Sequence, residues 1–175
     1  MGFGSVIATA ISIIVLLAAG YMLVGSITHS ADATGASIKA AADIESRRMN
    51  TVLAIDNPGS NSGEGWFSFH LNNVGSEKIV DITQMDVIVK MIWPNQSVYY
   101  VPYGTQEAHP ATYWDYENLT SILIGIGDAV NPGMLDPGEF VNIRVHAAEC
   151  SRAGTAWVQV TTPDGASAST NVVIV

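Results

Sequence analysis

The sequence predicts an N-terminal transmembrane α-helix followed by an all-β antiparallel sandwich. Three observations carry this expectation. No charged residue occurs in positions 1–28. Beyond residue 50 the apolar residues recur at every second position instead of every third or fourth. Turn signals containing Pro and Gly separate those alternating runs. The expected divisions are a transmembrane helix over 1–28, a helical stalk over 29–50 and a β-sandwich domain over 51–175.

Residues 6–27 read VIATAISIIVLLAAGYMLVGSI. At 1.5 Å of rise per residue this helix spans about 33 Å, matching a hydrocarbon core of about 30 Å. It is apolar on every side, as lipid contact requires and a surface helix would not be. Ala8, Ala18, Ala19 and Gly20 permit close helix–helix approach, without a GxxxG pair in the span. A cleaved secretory signal is the competing reading, with Ala31-Asp32-Ala33 as its A-x-A site. Against it, residues 1–5 lack Lys and Arg, and the apolar run exceeds the usual length of about 7–15 residues. An uncleaved anchor is expected.

After Thr28 the chain turns amphipathic but keeps helix-favouring residues. Ile38, Ala41, Ala42, Glu45 and Met49 recur at three- and four-residue spacing, with Lys39, Asp43, Arg47 and Arg48 on other faces. Gly35 weakens a helix by about 1 kcal/mol relative to Ala and marks a candidate bend. The stalk is either a solvated spacer or a seam against a partner helix.

The period then changes to two. Phe67, Phe69 and Leu71 alternate with Ser68, His70 and Asn72; Met85, Val87, Val89 and Met91 alternate with Asp86 and Lys90. Val141, Ile143 and Val145 alternate with Asn142, Arg144 and His146, and Val158 and Val160 with Trp157, Gln159 and Thr161. Between the runs stand Asn57-Pro58-Gly59, Val74-Gly75-Ser76, Pro94-Asn95, Asn131-Pro132-Gly133, Asp136-Pro137-Gly138 and Pro163-Asp164-Gly165. Seven to nine short strands with this punctuation imply a sandwich, and the segment is long enough to enclose one core.

Composition narrows the function. Apolar residues make up 48% and charged residues only 13%, which excludes a disordered chain and a coiled coil. Three acids (Asp32, Asp43, Glu45) and three bases (Lys39, Arg47, Arg48) cancel over residues 1–50, so residues 51–175 carry the whole net charge of −9. That charge repels phosphate backbones and argues against nucleic acid as a partner. The bases flanking the apolar span all follow it, which on charge alone would place the C-terminal side in the cytoplasm. The sandwich class argues for the outside. Asn95-Gln96-Ser97 and Asn118-Leu119-Thr120 fit the N-glycosylation pattern, making Asn95 and Asn118 candidate acceptors.

Motifs for chemistry are few. Cys150 is the single cysteine, so no internal disulfide forms. Arg152 beside it would lower its thiol pKa, against the commoner buried or inert state of a lone thiol. His29, His70, His109 and His146 show no metal-ligand spacing, and His70 and His146 fall on the polar positions of alternating strands. The sequence holds no GxSxG, no P-loop and no dinucleotide fingerprint. Asp128, Asn131, Asp136 and Glu139 offer oxygens to a hard cation, but their spacing is that of turns and not of an EF-hand loop. Neither an enzyme, nor a metal site, nor a cofactor is expected. One segment is unusually aromatic: Tyr99, Tyr100, Tyr103, Tyr113, Trp114 and Tyr116, preceded by Trp93. Polar-tipped aromatics suit sandwich packing first and a protein-contact patch second.

The layout and several short runs carry a family resemblance. The MGFGS opening at 1–5 runs straight into the apolar helix; the LNNVGS run at 71–76 is followed by Ile79 and the MDVIV run at 85–89; the NPGMLDPGE run at 131–139 is followed by Val141, Ile143 and Val145. Their order resembles the FlaF and FlaG proteins of the archaellum, the rotary filament of archaea, and FlaF more than FlaG. It is also similar to the archaellins. The resemblance implies an immunoglobulin-like β-domain facing outward from the archaeal cell membrane. It also implies a role in motility as part of the stator apparatus. The implied partners are a surface-layer (S-layer) protein, a FlaG-like or FlaF-like component, and a second copy in a homodimer. The nearest rival is an archaellin or other pilin-like filament subunit. Those normally carry a basic residue before the processing site and a Glu shortly inside the helix, whereas the first charge here is Asp32. A membrane-tethered adhesion or ligand-binding module is the remaining alternative.

Overall fold

A computed structural model describes residues 3–93, 96–105, 108, 112–121, 131 and 133–175, the side chains of 117–121 excepted. The chain divides into two compact units, Met1–Ile44 and Glu45–Val175.

A single helix, α1, runs from Phe3 to Asn50 without interruption at Gly35, and none of its residues is buried within the chain. It is long and apolar enough to cross a membrane. Several hydroxyls within it do not disturb that character, because they bond back to the helix's own carbonyls. Thr9 donates to the Ser5 carbonyl at 2.8 Å, Ser12 to Ala8 at 2.8 Å and Thr28 to Val24 at 2.7 Å. Side chains satisfied in this way tolerate an apolar surround. At the other end Arg47 and Arg48 sit in the last turn, where cations complement the helix dipole. Thr51 closes the helix by donating both its N–H and its hydroxyl to the Arg47 carbonyl, each at 2.9 Å.

Eight strands follow: β1 (Leu53–Asn61), β2 (Trp66–Asn73), β3 (Asp86–Trp93), β4 (Ser97–Val101), β5 (Thr112–Ser121), β6 (Glu139–Ala147), β7 (Gly154–Thr161) and β8 (Ser167–Ile174). Consecutive pairs are antiparallel and are dealt alternately to two sheets, ordered β1-β2-β6-β5 and β4-β3-β7-β8. The chain crosses between sheets through short 3-10 turns at Ile82–Gln84 and Ala148–Ser151.

Alternation decides which side chains meet between the sheets. Phe67, Phe69 and Leu71 of β2 and Val141, Ile143 and Val145 of β6 face Val87, Val89 and Met91 of β3 and Val158 and Val160 of β7, all buried. The sandwich therefore follows from the period-two pattern. Asn57-Pro58-Gly59 behaves otherwise: it is a bulge inside β1, with Asn57 at φ 47° and the register shifting between Asp56 and Gly59. Pro58 is tolerated because β1 is an edge strand that need not offer its N–H to a further neighbour.

One buried amide joins the two stretches 71–76 and 131–139. Asn73 is fully buried. Its Nδ2 donates to the carbonyls of Glu77 at 2.8 Å and Leu135 at 3.0 Å, and its Oδ1 accepts from the Gly75 N–H at 3.1 Å. Its own carbonyl accepts from the Gly138 N–H at 2.8 Å, beside an Ile79–Leu135 bridge. The same turn reaches the end of α1: the N–H groups of Ser76 and Glu77 both donate to the Asn50 carbonyl, at 2.9 and 3.2 Å. Gly75 fits there for want of a side chain, since a Cβ would collide with the Asn50 carbonyl oxygen and the Val52 nitrogen.

Candidate interaction surface

The outward residues of β2, β6 and β5 share one face of the first sheet, and the pairing sets them in rows. Trp66 lies opposite His146, which lies opposite Tyr113; one step on, Ser68 lies opposite Arg144, which lies opposite Asp115. Adjacent strands being about 4.8 Å apart, each row is roughly 10 Å long. The first row holds three rings and the second a hydroxyl, a guanidinium and a carboxylate.

All of these residues but Ser68 floor an open groove of about 440 Å³, rimmed by Glu64, Gly65 and the 3-10 turn with Ser151. Tyr113 stacks on His146 with ring centres 4.4 Å apart and planes within 11°. The indole N–H of Trp66 donates to Glu64 Oε2 at 2.8 Å, fixing that ring. Arg144 donates from Nε to Asp115 Oδ1 and from Nη2 to Asp115 Oδ2, both at 3.1 Å. His146 Nε2 lies 3.8 Å from Asp115 Oδ2. The arrangement suits recognition of a partner, and among the described residues no nucleophile is paired with a base there.

The six aromatics, for which sandwich packing is the first reading and a contact patch the second, do not lie on one surface. Tyr99 turns toward the core and donates its hydroxyl to Glu149 Oε1 at 2.7 Å. Tyr100, its neighbour, points to the opposite side, 63% exposed, with its hydroxyl 3.2 Å from Asp86 Oδ1. Trp114 is fully buried and Tyr116 packs against the same core. Tyr103 covers both, its ring 4.9 Å from that of Trp114 and 6.1 Å from that of Tyr116. Tyr113 alone of the six lines the groove. The cause is alternation together with the placement of β4 and β5 in different sheets.

Asn95 lies outside the described residues, and Asn118 is described only as a backbone position of β5. Cys150 is buried, and loss of hydration, reinforced by the Glu149 carboxylate, pushes its thiol up to about 12, the opposite of the lowering expected from Arg152. Asp136 accepts from Asn131 Nδ2 at 3.0 Å, and Glu139 Oε2 accepts from the Asp136 N–H at 3.0 Å, so these oxygens brace a turn; Asp128 lies outside the described residues. Among the described residues no three His, Cys, Asp or Glu converge on a common point.

Sequence reasoning singled out neither Trp66 nor the Arg144–Asp115 pair. Their common phase within alternating strands is a usable signal, but only the register between strands places them side by side.

Comparison with known proteins decides the family. The model of the archaeal-type flagellins matches residues 2–172. The chain belongs to the archaeal-type flagellin family. Members of this family are structural proteins and not enzymes. None of the curated proteins compared with it matches. Among solved structures, this archaeal-type flagellin resembles the archaellum periplasmic stator protein FlaG from Sulfolobus acidocaldarius, with 21% identity and a TM-score of 0.51 over 69% of this chain and 98% of that one. It also resembles the periplasmic stator complex of FlaF and FlaG from the same organism, with 22% identity and a TM-score of 0.50 over 69% and 88%. A third likeness is to the archaeal flagellum of Methanospirillum hungatei strain JF1, with 14% identity and a TM-score of 0.51 over 100% and 99%. These likenesses concern the fold and do not favour FlaF over FlaG.

Proposed function

We propose that this archaeal-type flagellin is a membrane-anchored, extracytoplasmic component of the archaellum that holds the stator by gripping the surface layer. The observation that carries the reading is α1. Forty-eight residues of helix bury none of their side chains within the chain, and the portion before His29 carries no charge. Such a surface requires an apolar environment from outside the chain, and a bilayer supplies it over the required length. Residues 1–28 cross the membrane, 29–50 form the stalk and 51–175 form the outward domain. The likeness of the fold to the Sulfolobus stator proteins supports a mechanical role. The FlaF–FlaG complex supports a FlaF-like or FlaG-like partner.

A filament subunit is the second reading, favoured by a likeness to the M. hungatei flagellum that spans the whole chain, helix included. There the apolar surface of α1 would be covered by sister helices. Shearing filaments from cells and quantifying the protein in filament and membrane fractions separates the two. Retention in the membrane, digestion of the β-domain by protease added to intact cells, and capture of surface-layer protein by the full chain are expected. Recovery with the sheared filaments would overturn the stator reading.

A further inference from the structure

We propose that the groove on the outer face of β2, β6 and β5 is a saccharide-binding site. This goes beyond the anchoring role and does not depend on it.

The ligand class follows from what the two rows present together. Trp66 stands in a row with the stacked pair of His146 and Tyr113, and aromatic rings recognise flat apolar surfaces. Alongside them Asp115 and Arg144 place an acceptor and a donor in contact, held by two bonds of 3.1 Å. A ligand satisfying both rows has one apolar C–H face and, at its edge, adjacent groups that donate and accept. A pyranose ring is such a ligand: its axial C–H bonds cover an aromatic ring while neighbouring hydroxyls engage the carboxylate and the guanidinium. Each carboxylate oxygen has further lone-pair capacity beyond the bond it takes from Arg144. Glu64, by receiving the Trp66 indole N–H at 2.8 Å, holds that ring in place before any ligand arrives.

Other ligand classes fit less well. A phosphate-bearing ligand meets a domain that carries the net charge of −9. A peptide added as a strand would need a free sheet edge, and the edge of β5 already pairs at Trp114 with Pro102 and Gly104, whereas the groove lies on the face of the sheet. The groove volume, about 440 Å³, lies within the range of small-ligand sites, roughly 300–1,000 Å³.

The test uses the full chain in lipid nanodiscs free of glycosidic detergent, probed by saturation-transfer NMR with the methyl pyranosides of glucose, galactose and mannose, and with a blocked tripeptide. Transfer to the ring C–H protons of at least one glycoside is expected. Trp66→Ala and Tyr113→Ala should each weaken that binding about tenfold, the loss of one stacking contact. Trp66→Phe should retain most of it, and Trp93→Ala, on the other sheet, should leave it unchanged. Asp115→Asn should weaken binding while preserving the stacked ring. Absence of transfer from all three glycosides, binding indifferent to Trp66→Ala and Tyr113→Ala, or binding of the tripeptide alone would each overturn the proposal.

Discussion

Arg144 grips both carboxylate oxygens of Asp115 from the directly opposite position on the neighbouring strand. The pair is neither fully solvated nor buried, at 27% and 28% side-chain exposure. Two parallel bonds from one planar group are a geometry that an ammonium cannot reproduce. Arg144→Lys should therefore lower stability by about 1 kcal/mol, since partly exposed pairs fall near the upper end of the surface range. Differential scanning calorimetry would show it as a melting-temperature drop of roughly 2–4 °C. An unchanged melting temperature would mean that the second hydrogen bond contributes nothing.

Two glycines should respond to alanine with opposite signs. At Gly75 the added methyl meets backbone atoms of Asn50 and Val52, which cannot rotate away, so Gly75→Ala should destabilise by about 1–3 kcal/mol. At Gly35 the added methyl meets open space within α1, and Gly35→Ala should raise helix stability by about 1 kcal/mol. Thermal melts followed by circular dichroism would report both.

The buried thiol of Cys150 makes stability fall in alkali. Its pKa is about 12 in the folded chain, against about 8.5 in an unfolded one. Between those values the unfolded chain has released a proton that the folded chain keeps, so stability is fully present below about pH 8.5 and declines by up to about 1.4 kcal/mol per pH unit above it. Melts from neutral pH to pH 11 should show a shallower decline for Cys150→Ala than for the native chain. Iodoacetamide should leave Cys150 unmodified until the domain unfolds; rapid alkylation of the native protein would contradict its burial.

Truncation should separate the aromatic segment into core and surface. Trp114→Ala removes a fully buried indole and should cost about 3–5 kcal/mol. Tyr100→Ala removes an exposed ring and one hydrogen bond to Asp86, and should stay within about 1 kcal/mol. Chemical denaturation of the two variants would show widely different midpoints.

The fold was legible because two periodicities dominate the chain. An uncharged helical run admits no soluble surface, and alternation such as Phe67-Ser68-Phe69-His70-Leu71 admits only a strand with one buried face. Legibility ended where meaning depends on distant partners. Asn57-Pro58-Gly59 has the composition of a turn, yet pairing of β1 with β2 on both sides of it makes it a bulge. Tyr99 and Tyr100 are adjacent in sequence and face opposite ways, and Tyr113 and Trp114 do the same on the other sheet. The groove unites Trp66, Tyr113 and His146, residues far apart in sequence that only the strand register brings together. Arg152 lies two positions from Cys150, but burial overrides what that charge would do to the thiol.

The amide of Asn73 makes the packing of the domain depend on a single atom. Its Nδ2 is the donor that two backbone carbonyls share. Asn73→Asp would replace it with a carboxylate oxygen facing those same acceptors, setting negative charge against negative dipoles at a fully buried side chain. Because the adjoining turn also clasps the Asn50 carbonyl, the same atom braces the loop to which the last residue of α1 is fastened.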